Sequence, residues 1–280
     1  MKIGMNLLLW TTHVTSAHDP LLADLRRTGY DGVEIPIFEG TSADYRTLGA
    51  KLRDLGLGTT AVTVMSPDAS PISPDAKARA AAVDRLRWVL DRAAECGAEV
   101  LCGPLHSPLG VFSGVPATAD ENARGVETLR TVADHAAAHG ITLAIEYLNR
   151  FENYFLTTAA DNLRLVAAVN HPACGCMWDT FHAHIEEKNP AAALAALRGH
   201  LVHVHLSEND RGTPGTGQVN WRATFDTLRA IGYDRWLVIE AFGRALPELA
   251  AATRVWRDLF ADPRDVYTAG LAFIRENLAR

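Results

Sequence analysis

AAHGITLAIEYLN, residues 137–149, decides the fold. An amphipathic segment ends on Gly140, and an apolar run follows at once and closes on a carboxylate, Glu146. Glycine at a helix C′ position takes the left-handed backbone that stops the helix, so the chain turns straight into a strand. The same junction recurs at RRTG-YDGVEI (Gly29), RDLG-LGTTAV (Gly56), AECG-AEVLCG (Gly97) and RAIG-YDRWLVIE (Gly232). Short, mostly apolar runs predict strands over 2–8, 32–36, 58–65, 98–103, 141–147, 174–179, 201–206 and 236–241. Such runs suit strands covered on both faces. Helical segments separate them. Val83, Leu86, Leu90 and Ala93 fall at helical spacing within 77–96, as do Val126, Leu129, Val132 and Ala136 within 122–139. These stripes are core packing. A last helix near 264–278 closes the chain. Eight alternating units in 280 residues predict an α/β protein, a (β/α)8 TIM barrel forming a single domain over 1–280. The alternative is an open doubly wound sheet. Its dinucleotide-binding form has no support, because no G-x-G-x-x-G follows the first strand.

Composition narrows the function. Hydrophobic residues make up 48 % of the chain, enough for a large core. The formal charge of −6 argues against a nucleic-acid groove or an anionic membrane surface. The start, MKIGMNLLLW, lacks the pattern of a signal peptide, and no apolar run reaches membrane-span length. Cys96, Cys102, Cys174 and Cys176 form no disulfide framework and no paired zinc motif, so buried, reduced thiols in a cytoplasmic protein are expected. The Pro/Ser-rich stretch 66–75 is too short for a linker. Like 104–121, it is expected as a long loop on the face where barrel active sites form.

On that face the chemistry gathers. LAIEYLN ends near Glu146, GCMWDTFH carries Asp179, LVHVHLSE carries His205 and WLVIEAFG carries Glu240. A buried carboxylate costs several kcal/mol unless it is paired or binds a metal. In a parallel barrel all strand C-termini lie on one face, so these four side chains should converge. Crowded carboxylates raise one another's pKa unless a cation joins them. Three oxygen donors and one imidazole suit Mn²⁺, Mg²⁺ or Co²⁺ better than structural Zn²⁺. Glu152, His182 and Arg211 fall close to these ends in sequence. His203 is expected as a hydrogen-bonded core histidine and His184 as exposed. Glu34 is a candidate for support behind the cluster, and His106 for the pocket lining. One Arg and one His beside a metal suit an oxygen that gains negative charge. With no Gly-rich phosphate cradle after the last strands, a free sugar is favoured over a phosphorylated one.

The blocks NRFENYF (149–155), WDTFHAHIEE (178–187), HVHLSENDRGTPGTG (203–217) and TRVWRDL (253–259) resemble the D-tagatose/D-psicose (allulose) 3-epimerase family of xylose-isomerase-like barrels. The resemblance covers nearly the whole chain, more loosely over the first 70 residues. It implies that Glu146, Asp179, His205 and Glu240 hold one divalent ion, Mn²⁺ ahead of Mg²⁺ or Co²⁺. It implies that Glu146 and Glu240 are also the two catalytic bases, on opposite faces of C3. It places Glu152, His182 and Arg211 at the O1–O3 end of the sugar, and it implies a homodimer or homotetramer. Relatives often carry aromatic residues near position 6, where this chain has Asn6, Leu8 and Leu9 before Trp10. Phe112 is expected in place of a bulkier aromatic at the far end of the sugar.

The expected activity is therefore metal-dependent interconversion of free ketoses at C3 through a cis-enediolate. The alternative is an isomerase, dehydratase or lyase acting on another α-hydroxy carbonyl, such as an inosose, hydroxypyruvate or a 3-keto-glycoside. A multi-metal DNA-repair nuclease on the same barrel would need more His ligands and a basic groove. A non-catalytic sugar sensor would not need all seven polar positions.

Overall fold

Gly29, Gly56, Gly97, Gly140 and Gly232 all take positive φ in the computed structural model, which describes residues 1–280. Each ends a helix and releases the chain into a strand, as the junctions predict. The strands are β1 (Lys2–Asn6), β2 (Gly32–Pro36), β3 (Gly58–Val62), β4 (Ala98–Gly103), β5 (Thr142–Ile145), β6 (Cys174–Asp179), β7 (Leu201–Leu206) and β8 (Trp236–Ile239). They pair in parallel and in chain order, and β1 pairs with β8 through Met5↔Ile239 to close the ring. The open-sheet alternative is thereby excluded. This is a single-domain (β/α)8 TIM barrel.

The surrounding helices are α1 (Asp19–Thr28), α2 (Ser42–Leu55), α3 (Ala76–Glu95), α4 (Ala119–Ala138), α5 (Ala159–Val169), α6 (Thr180–Glu186), α7 (Pro190–Ala196), α8 (Trp221–Ala230), α9 (Pro247–Ala252) and α10 (Pro263–Ala279). Side-chain caps start most of the long ones. Thr41 accepts from the Asp44 amide, Thr118 from Glu121 and Thr158 from Asp161. Each such cap is worth about 1 kcal/mol. No helix is long and apolar enough to cross a membrane.

Two apolar layers hold the barrel. One cluster of 62 buried residues packs the helices onto the sheet, with Leu86, Leu90, Leu129 and Val132 from the expected stripes. A smaller cluster of 11 includes Val62, Val100, Ala144, Met177 and Val238. Successive strand residues alternate faces, so Trp236, Val238 and Glu240 point the same way at rising height. Trp236 fills the floor. A Cβ on Gly32 would come within 2.5 Å of its ring and one on Gly58 within 2.9 Å, so both positions need glycine for space. Below the ring Lys2 and Glu99 pair at 2.8 Å against the same Trp236, and the other polar cluster lies at the upper end.

The first strand is shorter than the apolar run suggests. Residues 7–9 form a 3-10 turn because the Asn6 side chain accepts the Leu8 amide at 2.8 Å and caps it. β3 likewise stops at Val62 rather than 65. β5 and β8 end one residue before Glu146 and Glu240, whose amides still donate to Gly103 (3.0 Å) and Leu206 (3.3 Å) on the neighbouring strands. The carboxylates are thus fixed to the rim by backbone hydrogen bonds.

Candidate active site

Glu146, Asp179, His205 and Glu240 meet at the C-terminal mouth, all at most 5 % exposed. His205 Nδ1 lies 3.2 Å from Glu240 Oε1 and 3.8 Å from Asp179 Oδ2, yet has no hydrogen bond of its own. Asp179, His205 and Glu240 present donor atoms within 4.8 Å of one another, and Glu146 and Asp179 do so together with His182. Asp179 joins the two groups. Its other task is local: Oδ1 accepts the Phe181 amide at 2.6 Å and starts α6.

The electrostatics are those of a crowded anionic cluster. Burial, then the charges of Glu240 and Asp179, push the Glu146 carboxyl well above its ordinary range. Burial raises Asp179 to about 6 despite Arg211 beside it. Burial also acts to raise Glu240, but His205 and Arg211 outweigh it and hold this carboxyl low. Burial opposes charge on His205, while Glu34 and Glu240 more than offset it and favour the imidazolium.

Arg211 spans the cluster. Its Nη1 donates to Glu240 Oε2 at 2.7 Å, and to Asp179 Oδ2 and Ser207 Oγ at 3.1 Å. Its guanidinium stacks 3.8 Å above the Phe181 ring, a favourable cation–π geometry. The residue is 3 % exposed and has φ +67°. A left-handed backbone at a non-glycine residue costs roughly 1–3 kcal/mol and persists where the surroundings enforce it. Here they do so from both sides: the Arg211 amide donates to Glu208 O at 2.9 Å, and its carbonyl accepts from Phe242 at 3.0 Å.

His182 is held neutral, chiefly by burial and then by Arg211 and His205. Its Nδ1 accepts the Asn149 amide at 3.0 Å, and its Nε2 lies 3.1 Å from Arg211 Nη2 and 3.5 Å from Glu146 Oε1. Asn149 Nδ2 also donates to Glu152 Oε1 at 2.9 Å, so one amide side chain ties Glu152 and His182 together. A cavity of about 300 Å³ opens over this group. Glu146, Glu152, His182, Arg211 and Glu240 line it, and so do Leu8, Phe38, Val62, Val64, Leu109 and Phe242.

Around the four strand-end residues lies a layer of supports. His205 Nε2 donates to Glu34 Oε1 at 2.6 Å, and His203 Nε2 donates to Glu34 Oε2 at 2.8 Å. Glu34 is therefore the support anticipated behind the cluster, and His203 is a hydrogen-bonded core histidine. His184 is exposed, and all four cysteines are buried and free. His106 does not line the cavity. Fully buried, it props the rim: Nε2 donates to the Glu146 carbonyl at 2.8 Å, and burial lowers its pKa to about 3. Phe112 is 48 % exposed and lies outside the cavity wall. Of the residues near position 6, Leu8 lines the cavity, while Asn6 donates to Glu34 Oε1 (3.0 Å) and Glu240 Oε1 (3.2 Å).

Asn149, Glu208 and the positioning role of Asn6 are what sequence reasoning missed. Glu208, fully buried, accepts from the amides of Asn209, Gly215 and Val219 and from Trp221 Nε1 at 2.8–3.1 Å, and so pins the loop bearing Arg211. Its signal was present: it is a carboxylate three residues after His205, followed by a glycine-rich stretch.

Comparison with known proteins agrees with this architecture. The family model described as "Xylose isomerase-like TIM barrel" matches residues 22–277. The chain is 33 % identical over 281 residues to a ketose 3-epimerase of Arthrobacter globiformis, covering 99 % of this chain and 97 % of that one. It is 31 % identical to a probable ketose 3-epimerase of Synechocystis sp., covering 99 % and 96 %. A crystal structure of D-allulose 3-epimerase from Methylomonas sp. in complex with D-allulose superposes with a TM-score of 0.93 at 29 % identity, covering 99 % and 97 %. The chain belongs to the xylose isomerase-like TIM-barrel family, within its ketose 3-epimerases, which are carbohydrate epimerases of the isomerase class.

Proposed function

We propose that this protein epimerises free ketoses at C3, with Glu146 and Glu240 exchanging the C3 proton from opposite faces. The observation that carries the reading is that both carboxylates border one cavity, Glu146 beyond β5 and Glu240 beyond β8, with Arg211 and His182 between them. Epimerisation must return a proton to the face opposite the one it left, so two acid–base groups are needed rather than one. Without an ion the surroundings of the pair differ: burial, Glu240 and Asp179 push Glu146 up, while His205 and Arg211 hold Glu240 down. Whichever carboxylate takes the C3 proton, the other returns one to the opposite face, and the reverse reaction exchanges the roles. Arg211 and His182 hold the oxygen where enediolate charge develops. Glu152, steadied by Asn149, accepts from hydroxyls at the O1 end.

The donor set fits a divalent ion. His205 Nδ1 is buried without a partner between two carboxylates, and its ring is oriented by Glu34. Glu146, Asp179, His205 and Glu240 would hold the ion, Mn²⁺ ahead of Mg²⁺ or Co²⁺. When bound it would supply Lewis-acid polarisation of the substrate carbonyl and neutralise the crowded carboxylates. A dimeric or tetrameric assembly belongs to the same reading, and analytical ultracentrifugation tests it.

The test is incubation of the metal-reconstituted protein with fructose, tagatose and ribulose in heavy water, followed by proton NMR. C3 epimers carrying deuterium at C3 are expected. Products changed at another carbon, or no exchange with any free ketose, would overturn the assignment. Glu146→Gln and Glu240→Gln should each lower kcat by about three orders of magnitude, the size expected for losing a central acid–base group, with circular dichroism unchanged. A near-normal rate in either variant removes that residue from the reaction.

A further inference from the structure

Away from the barrel mouth, α3 and α4 bring a second set of metal-liking side chains together. His135 and His139 stand four residues apart at the end of α4, so their rings share one face. Asp91 of α3 meets both: its Oδ1 lies 2.8 Å from His135 Nε2 and 3.1 Å from His139 Nε2. The rings are 4.9 Å apart between centroids, edge to face. All three donor atoms fall within 4.8 Å of one another. Ligands bound at 2.0–2.2 Å to one tetrahedral or octahedral ion sit about 3 Å apart, so an ion needs only small side-chain shifts here. Burial opposes ionisation of Asp91, but His135 and His139 outweigh it and hold the carboxylate charged. His135 and Asp91 are partly buried and His139 is exposed, which leaves an open side for water ligands.

The donor chemistry differs from that of the mouth. Two imidazoles and one carboxylate suit a borderline ion such as Zn²⁺, Ni²⁺ or Cu²⁺, whereas hard Mg²⁺ and Ca²⁺ take oxygen. In the ion-free protein each Nε2–H donates to Asp91. On binding, the proton of each neutral ring resides on Nδ1 and the Nε2 lone pair turns to the ion.

We propose that Asp91, His135 and His139 form a second, peripheral site for a borderline divalent cation, which clips α3 to α4. The site shares no residue with the mouth, so it stands independently of the activity proposed above.

The test uses the full chain dialysed to equilibrium against micromolar Zn²⁺, with metal content measured for the wild type and for H135A/H139A. The wild type should retain one more equivalent than the variant, since the mouth is the same in both. Equal stoichiometry overturns the site. Zn²⁺ should also raise the wild-type Tm by several degrees more than that of the variant, and identical shifts would overturn the clip. Asp91→Asn keeps both rings and the side-chain shape. It should weaken zinc binding about tenfold or more, whereas unchanged affinity would count against the three-ligand site.

Discussion

Both carboxylate oxygens of Glu34 are taken. Oε1 accepts from His205 and Asn6, and Oε2 accepts from His203, Thr60 and Cys102. This fully buried group fixes which nitrogen of His205 faces Asp179 and Glu240. Glu34→Gln should therefore weaken divalent-metal affinity about 10–100-fold, the usual cost of losing a partner behind a ligand. Calorimetric titration of the refolded, circular-dichroism-matched variant measures it; unchanged affinity would reduce Glu34 to a packing role. The four strand-end residues were legible because a charged group closing an apolar run stands out against its neighbours. Asn6 and Asn149 were not, because a neutral amide beside other polar residues offers no such contrast. Their work depends on partners far away in sequence: Asn6 reaches Glu240 across the β1–β8 seam.

At the scale of elements, the loop after β7 depends on Glu208. Burial would raise its pKa, but the amides of Asn209 and Val219, Trp221 and the Gly215 amide hold it below the ordinary range. A group with a depressed folded pKa adds stability above its unfolded value, about 4.3, and gives it up as pH falls through the folded value. The wild type should thus lose part of its stability below about pH 4.3. Glu208→Gln should show a flatter acid limb and cost about 1–3 kcal/mol at neutral pH. Urea unfolding from pH 3 to 7 compares the two, and parallel curves would contradict the assignment. The eight strands and the long helices were readable because the glycine junctions and apolar periods agree, whereas the short α6, α7 and α9 were not placed. Strand ends were less so. In NLLLW the apolar residues 7–10 are compatible with a strand, and the Asn6 cap at the rim turns the chain into a 3-10 turn.

The whole barrel gathers its charged cluster from adjacent strands. An ion held by residues beyond β5 and β8 and within β6 and β7 would cross-link half the ring. At a hundredfold excess over Kd, binding to the native state adds about 2.7 kcal/mol. Chelation should lower Tm by roughly 5 °C. Differential scanning calorimetry with and without EDTA reads this, and an unchanged Tm would argue against a bound ion. The other half of the ring contributes differently. Leu8, Phe38, Val62, Val64 and Leu109, all carried between β1 and β5, face the same cavity with apolar surface. Division of labour follows on the proposed reading: these apolar side chains can be exchanged one by one to admit longer, shorter or deoxygenated tails, provided Asn6 and Glu34, which brace Glu240 and His205 from the same half, are kept.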